Sequence, residues 1–339
     1  MIYLDTTSAS SWRHSSGLAR VSRRLLEELG DSARQAKWPS VATQPSKGDW
    51  ILSPELFSEH ERPGFTEFLG NSPCRLAAIF HDAIPLKHAD ITWPKSVERH
   101  PGYMKLLSRF DRIWAVSSAS REELLGFWKW QGVRSTPQVD VLHLGADWSG
   151  VARASGAPPV PAMPPKIVSI GILEPRKNQT ILLDAFEVLR VEGVEAELHL
   201  VGRVNPHFGS PIERRVAQMS ERWSGLHHHT EMGDRELAAL VRSARATAFP
   251  SIAEGCGLPL LESLWMGVPC ICGDIAPVLE NAAAGGCHVV RGNSLAGWVD
   301  GLRRIISSDS HREQLAMEAL GRSLPTWASA AQVLRESLL

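Results

Sequence analysis

The chain has 339 residues, 43% of them hydrophobic and 22% charged, with 36 basic against 37 acidic side chains and a formal net charge of -1. That length suits two domains, each large enough to bury its own core, and the balanced charge excludes the basic footprint of a nucleic-acid binder. No apolar run is long enough to span a bilayer and no basic leader opens the chain, while the five scattered cysteines lack paired C-x-x-C spacing, so the reading is a cytoplasmic protein with reduced thiols.

From the amino terminus, Met1–Asp5 reads as a short strand and Leu18–Leu29 as a helix with Gly17 at its start. The pattern then predicts a strand over Arg75–His81, a helix over Pro101–Phe110, a strand over Arg112–Val116, a helix over Ser120–Trp130 and a strand over Val139–His143. The stretch Val151–Pro165, rich in Ala, Gly and Pro, reads as an interdomain linker. Beyond it the alternation continues: strand Lys166–Leu173, helix Asn178–Val191, strand Ala196–Val201, helices Pro211–Trp223 and Asp234–Ala244, strand Thr247–Pro250, helix Leu258–Met266 and strand Pro269–Cys272. Strands separated by helical crossovers imply an α/β chain with one parallel sheet per half. The expected division is 1–150, a linker at 151–165, a second domain at 166–322 and a closing segment at 323–339.

The most informative stretch is Phe249-Pro-Ser-Ile-Ala-Glu254-Gly255-Cys256-Gly257-Leu258-Pro-Leu-Leu-Glu262. Gly255 and Gly257 permit a tight turn with close backbone approach, and the helix that starts at Leu258 presents free N–H groups and the positive end of its dipole to an anion. Glu254 falls in the loop and Glu262 one turn into the helix, so the two carboxylates can address different parts of one ligand. Arg176 and Lys177 follow the strand that ends near Gly171, and His81-Asp82 follows Leu76–Phe80. All of these lie after strands, where open parallel sheets bind ligands. Each has a plainer reading: a solvated charged loop for Arg176 and Lys177, a helix-surface carboxylate for Glu262, a satisfied structural histidine for His81. The run His227-His-His229 reads as a solvated loop, because neighbours in sequence rarely point at one ion.

Taken together, Ser16-Gly-Leu-Ala-Arg20, Phe80-His-Asp82, Val116-Ser-Ser-Ala-Ser-Arg121, Leu144-Gly-Ala-Asp147, Gly171-Ile-Leu-Glu-Pro-Arg-Lys-Asn178, the E-x7-E element Glu254–Glu262 and Gly267-Val-Pro269 resemble, in order and spacing, a family 4 retaining glycosyltransferase of the GT-B type. The resemblance is nearest to bacterial mannosyltransferases of surface-polysaccharide assembly. It implies two Rossmann-like domains with parallel sheets facing across a cleft, and a last helix, Thr326–Arg335, crossing back to the amino-terminal domain. It further implies that Arg176 and Lys177 hold the donor diphosphate and stabilise the leaving group, that Glu254 contacts the transferred hexose, and that Glu262 takes the ribose hydroxyls. Gly17, Gly171, Gly255, Cys256, Gly257 and Leu258 would approach the donor through the backbone, and His81 would orient the hexose. Asp82 would orient its loop or tune His81. Cys256 stands where the family usually has an aromatic residue, and only one glycine, Gly17, remains in the first phosphate-facing loop. The implied donor is a nucleotide sugar, GDP-mannose or a UDP-hexose, used as substrate without a cofactor or metal; no D-x-D sequence is present. The implied acceptor is a saccharide or a lipid-linked one, reached at the inner face of the cytoplasmic membrane.

Two rival classes share much of this chemistry: a nucleotide-sugar epimerase of the same architecture, and a catalytically silent sugar-nucleotide-binding homologue. A dehydrogenase is disfavoured because no G-x-G-x-x-G follows a strand. Phe127, Trp128 and Trp130 offer either a peripheral membrane contact or core packing, and Glu122 and Glu123, which spoil a basic face, favour the core.

Overall fold

The computed structural model describes residues 1–8, 17–148, 150–156 and 160–339. The chain divides into two compact units, Met1–Gly145 with Pro325–Leu339, and Ala146–Leu324.

In the first unit the strands are β1 (Ile2–Asp5), β2 (Ala33–Ala36), β3 (Trp50–Ser53), β4 (Arg75–Phe80), β5 (Arg112–Ala115) and β6 (Gln138–Val141). They form one parallel sheet in the order β2-β1-β3-β4-β5-β6. Its central strands are near-continuous apolar runs because both faces are covered; Leu76 to Phe80 of β4 are all buried. The helices are α1 (Gly17–Leu29), α2 (Phe65–Gly70), α3 (Ile84–Lys87), α4 (Pro94–Leu107) and α5 (Ser118–Trp130). Pro94 opens α4, where its missing N–H costs nothing. The helix also continues through Pro101, where the sequence placed its start, because His100, Tyr103, Met104 and Leu107 bury one face. Ser117 caps α5 by accepting from the Ser120 N–H.

Phe127 and Trp128 are buried, and the Trp128 indole donates to the Met104 carbonyl at 2.7 Å, whereas Trp130 is exposed. The aromatic trio is therefore mainly core, with Trp130 alone of the three at the surface. No helix among the described residues is long and apolar enough to cross a membrane.

The second unit contains β7 (Lys166–Ile170), β8 (Glu197–Val201), β9 (Leu226–His229), β10 (Ala246–Phe249), β11 (Cys270–Cys272) and β12 (Cys287–Val289). Their order is β12-β11-β10-β7-β8-β9, all parallel. This is the dinucleotide-fold order, and its switch point lies between β7 and β10, whose crossovers leave in opposite directions. Around the sheet lie α6 (Gln179–Val191), α7 (Ser210–Arg222), α8 (Asp234–Ser243), α9 (Leu258–Trp265), α10 (Ala276–Ala282), α11 (Leu295–Ser307) and α12 (Asp309–Gly321). The core on one face joins Leu182, Phe186 and Leu189 of α6 to Leu198, Leu200, Ile271 and Trp298. Residues 227–229, expected as a solvated loop, are instead an edge strand, hydrogen-bonded to β8 in register. Consecutive histidines there point to opposite faces.

The segment read as a linker is docked on the second unit where it is described. Arg153 donates to the Leu264 and Ala319 carbonyls at the ends of α9 and α12, and the Ala154 N–H donates to the Trp265 carbonyl at 3.1 Å. A cation adding its donors to carbonyls at the negative ends of two helices, each of which also accepts a backbone N–H, fixes a segment whose composition alone says coil. Residues 157–159 lie outside the described residues. After residue 324 the chain returns to the first unit as α13 (Trp327–Leu338), capped by Thr326 and packed on α1. There Arg335 donates to the Glu28 carbonyl at 2.7 Å, and a Cβ at Gly145 would stand 2.3 Å from the Trp327 nitrogen.

Two buried histidines and one half-buried one give the fold a pH dependence. Burial holds His81 and His100 below the ordinary imidazole value despite the nearby Asp82 carboxylate, and burial with a neighbouring His311 does the same for His288. Below about pH 6.5 the unfolded chain therefore binds more protons than the folded one, so this stability is present above that value and is lost as the pH falls toward the folded pKa values. The melting temperature is expected to be lower near pH 5.5 than near pH 7.5. Thermal unfolding followed across that interval checks this, and a flat profile contradicts it.

Candidate functional site

The site grows from two loops at the switch point of the second sheet. The first runs from Gly171 after β7 through a single 3-10 turn, Pro175–Lys177, into α6. The second runs from Pro250 after β10 to Gly257, which takes φ 93° as it hands over to α9. A side chain at that φ is strained, and a Cβ there would also press to 3.3 Å of the Phe249 ring. Behind the loop, Thr247 donates to Ser263 at 2.8 Å and Ser263 to the Val268 carbonyl at 2.9 Å, which locks α9 against its strand.

Backbone and side chains stitch the two loops together. The Ile252 N–H donates to the Arg176 carbonyl at 2.9 Å, and Arg176 Nη1 donates to the Ala253 carbonyl at 3.1 Å. Glu254 then receives both cations: Lys177 Nζ lies 2.5 Å from Oε1 and Arg176 Nη1 3.1 Å from Oε2. The far side of the guanidinium is held by Glu174, with Nη2 at 2.7 Å, and Glu174 in turn accepts from Asn205 at 2.8 Å. Lys177 also sits over the Phe249 ring, 5.3 Å from its centre. The Lys177 stem passes beside Gly171, where a Cβ would meet it at 3.3 Å.

Burial and charge oppose each other here. Burial raises the Glu254 carboxyl, but Lys177 and Arg176 more than offset this and leave it below the usual carboxylate range. Burial, reinforced by Arg176, holds the Lys177 ammonium below its ordinary value against the pull of Glu254. Glu254 is thus ionised at neutral pH, and two partly buried cations stand where their charge is less screened than in bulk water. At the head of α9, Gly257 supplies no side-chain cap, so the helix start offers its backbone donors to an anion.

Of the residues singled out in the sequence, the structure brings Gly171, Arg176, Lys177 and Glu254 into one cluster and sets Gly255, Cys256, Gly257 and Leu258 along the adjoining turn. Cys256 is half-buried, its carbonyl accepts from Asn281 at 2.7 Å, and burial pushes its thiol up to about 12. Glu262 lies one turn into α9 and is buried, 3% exposed. Sequence reasoning missed Glu174 and Asn205, which fix the guanidinium. A carboxylate two residues before Arg176 was the available signal for the first; the second arrives only through the packing of the β8 loop.

The remaining candidates belong to the first unit. Gly17 is the exposed first residue of α1, and a Cβ there would meet no atom of the described residues within 4 Å; residues 9–16 beside it, including Ser16, lie outside the described residues. His81 is buried at the end of β4, with Nε2 2.7 Å from the Pro54 carbonyl. A carbonyl only accepts, so Nε2 carries the proton and the neutral ring keeps Nδ1 as an acceptor. Asp82 accepts from the Ile84 N–H at 3.0 Å, while its own carbonyl lies 2.9 Å from His100 Nε2. Those contacts are the geometry of a residue that shapes the loop.

Known proteins agree with this architecture. The chain is 26% identical to the serotype-specific mannosyltransferase WbdA of Escherichia coli over 95% of its own length and 44% of that protein's. It is 31% identical to the MMP alpha-(1->4)-mannosyltransferase of Mycolicibacterium hassiacum over 53% of this chain and 42% of that one. The chain thus spans less than half the length of these curated relatives. Among solved structures, Anabaena HepE in complex with UDP and glucose superposes with a TM-score of 0.73 at 13% identity, covering 99% of this chain and 98% of that one, a likeness of GT-B fold. The profile of the glycosyl transferases group 1 matches residues 153–322, half of the chain and nearly all of the unit that carries the Arg176, Lys177 and Glu254 cluster. The chain belongs to the group 1 glycosyl transferases, with two Rossmann-like parallel sheets in a GT-B fold.

Proposed function

We propose that this protein transfers a hexose, with mannose favoured, from a nucleotide-sugar donor to a saccharide or lipid-linked acceptor in surface-polysaccharide synthesis, with retention of anomeric configuration and without a metal. The observation that carries the reading is the paired Arg176 and Lys177 beside Glu254 at the sheet's switch point. A donor diphosphate arriving there exchanges with Glu254: the phosphates take the two cations, and the released carboxylate accepts from hydroxyls of the hexose. As the glycosidic bond to the phosphate lengthens, charge grows on the leaving oxygen, where fixed cations and the α9 backbone donors stabilise it without a metal. The leaving phosphate takes the proton of the incoming hydroxyl on the same face of the sugar, which gives retention. Mannose is supported by the two mannosyltransferases among the relatives.

The test is thermal unfolding with GDP, UDP and ADP, followed by a transfer assay in EDTA with the nucleotide sugar of the base that stabilises most. Binding to the native state alone raises the melting point, and GDP is expected to raise it most. No shift with any of the three removes the donor-site assignment; transfer lost in EDTA and restored by a divalent ion removes the metal-free chemistry. Donor epimerised in the absence of acceptor would favour the rival enzyme class.

A further inference from the structure

Three histidines and a carboxylate converge on the β8–β9 edge of the second sheet. On β8, Glu197 and His199 are two residues apart and share a face, and the parallel register sets His199 opposite His227 and Val201 opposite His229. The fold therefore splits the run His227-His-His229: the first and third join His199, while His228 points to the opposite face, with Nε2 2.8 Å from the Gly202 carbonyl. Ligand atoms of Glu197, His199 and His227 all lie within 4.8 Å of one another. His199 Nε2 is 3.0 Å from Glu197 Oε2, and His199 Nδ1 is 3.0 Å from His229 Nε2. The His199 and His227 rings stack with centres 4.6 Å apart.

We propose that Glu197, His199 and His227 form a binding site for a divalent transition metal of the zinc class, with His229 as the positioning residue that fixes the His199 ring. Two imidazoles and one carboxylate are a donor set that zinc accepts, with water or a further ligand in the fourth position. Bonds of about 2.0–2.2 Å place tetrahedral ligand atoms roughly 3.4 Å apart, so the cluster closes on an ion by side-chain rotation, without moving the strands. With Nε2 turned to the metal, His199 Nδ1 shares its proton with His229, the kind of outer hydrogen bond that sets tautomer and ring angle at metal sites. Lys166 Nζ, 3.5 Å from Glu197 Oε2, competes with the ion for the carboxylate.

The site is separate from the donor loops. Glu197 is the first residue of β8, His199 is paired with Val168 of β7, and the donor loop leaves β7 beyond Ile170, so along the strand the loop lies about 7 Å beyond His199 and about 13 Å beyond Glu197 at about 3.3 Å per residue. A metal here does not touch the transferred sugar. It ties β9, the edge strand of the sheet among the described residues, to its neighbour.

The experiment uses the full chain stripped of metal and titrated with Zn2+ against a chromophoric chelator, with circular dichroism to verify that each variant is folded. Wild type is expected to bind one equivalent. His199→Ala and His227→Gln should weaken binding at least 100-fold, and His229→Ala by about 10–100-fold. His228→Gln, a change in the same tripeptide but on the other face, should leave binding unchanged. Lys166→Met should tighten it, a gain that a damaged fold cannot imitate. Wild-type binding no tighter than that of His199→Ala, or a loss in His228→Gln equal to that in His227→Gln, would overturn the proposal.

Discussion

Replacing Lys177 by methionine is expected to lower kcat/KM for glycosyl transfer by roughly 100–1,000-fold, the loss seen when one preorganised donor is removed from a developing oxyanion. The methionine keeps the stem that runs past Gly171 and across the Phe249 ring and removes only the ammonium, so the fold is expected to survive. Glu254→Gln should also reduce transfer by at least roughly 100-fold, but the two variants should part company in binding. In the free protein Glu254 occupies both cations, Lys177 at 2.5 Å and Arg176 at 3.1 Å, and any diphosphate must displace it. Neutralising Glu254 removes that competitor, so GDP should bind as tightly as in wild type or up to about tenfold tighter, about 1.4 kcal/mol, whereas Lys177→Met should weaken it. Calorimetric titration with GDP, set beside transfer rates, separates binding from catalysis. A Glu254→Gln protein that loses GDP affinity as Lys177→Met does would contradict the exchange. Full transfer activity in either variant would refute the role assigned to its residue.

Arg62→Met should be the most damaging change in the first unit, lowering stability by about 3–5 kcal/mol. Arg62 and Asp5 are both fully buried, 2.9 Å apart at the carboxyl end of β1, with Glu55 3.8 Å away. The guanidinium also lies over the Phe57 ring, 4.3 Å from its centre. Methionine retains most of that packing but takes away the cation that faces the fully buried Asp5 carboxylate, and breaking one partner of a buried ion pair is costly. A loss of that size corresponds to a fall in melting temperature of roughly 10 °C for a domain of this size. The double change Asp5→Asn with Arg62→Met should recover part of it, because the buried charge goes with its partner. Differential scanning calorimetry of the wild type and the two variants checks this, and a loss below about 1 kcal/mol in Arg62→Met would show that the pair is not what secures this end of β1.

The elements that could be read from the sequence are those whose own residues state their environment. In β4, β5, β7 and β10 nearly every side chain is buried, so the apolar run is itself the record of two covered faces. The helices α6 and α8 carry an apolar stripe at helical spacing, and their ends fell within a residue of expectation. The short strands β2, β9 and β12 did not announce themselves, whereas β3, Trp50–Ser53, carries a fully buried apolar run and is nonetheless absent from the predicted elements. β2 exposes Arg34 and Gln35, β9 is one leucine followed by three histidines, and such segments become strands only because a neighbour supplies hydrogen bonds and register.

The candidate site divides in the same way. Sequence by itself determined the parallel α/β class and which chemical groups the switch-point loops carry, because the cations, the carboxylates and the turn glycines are present as residue types at fixed spacing whatever surrounds them. Only the tertiary structure decided how those groups are engaged: that Glu254 already holds both cations, that Glu174 and Asn205 steady the guanidinium, that His81 keeps one nitrogen as acceptor, and that His227 and His229 meet His199 while His228 turns away. Spacing along a chain fixes which groups exist, whereas their pairing depends on distances between segments far apart in sequence, which are set only when the strands take their register and the core closes.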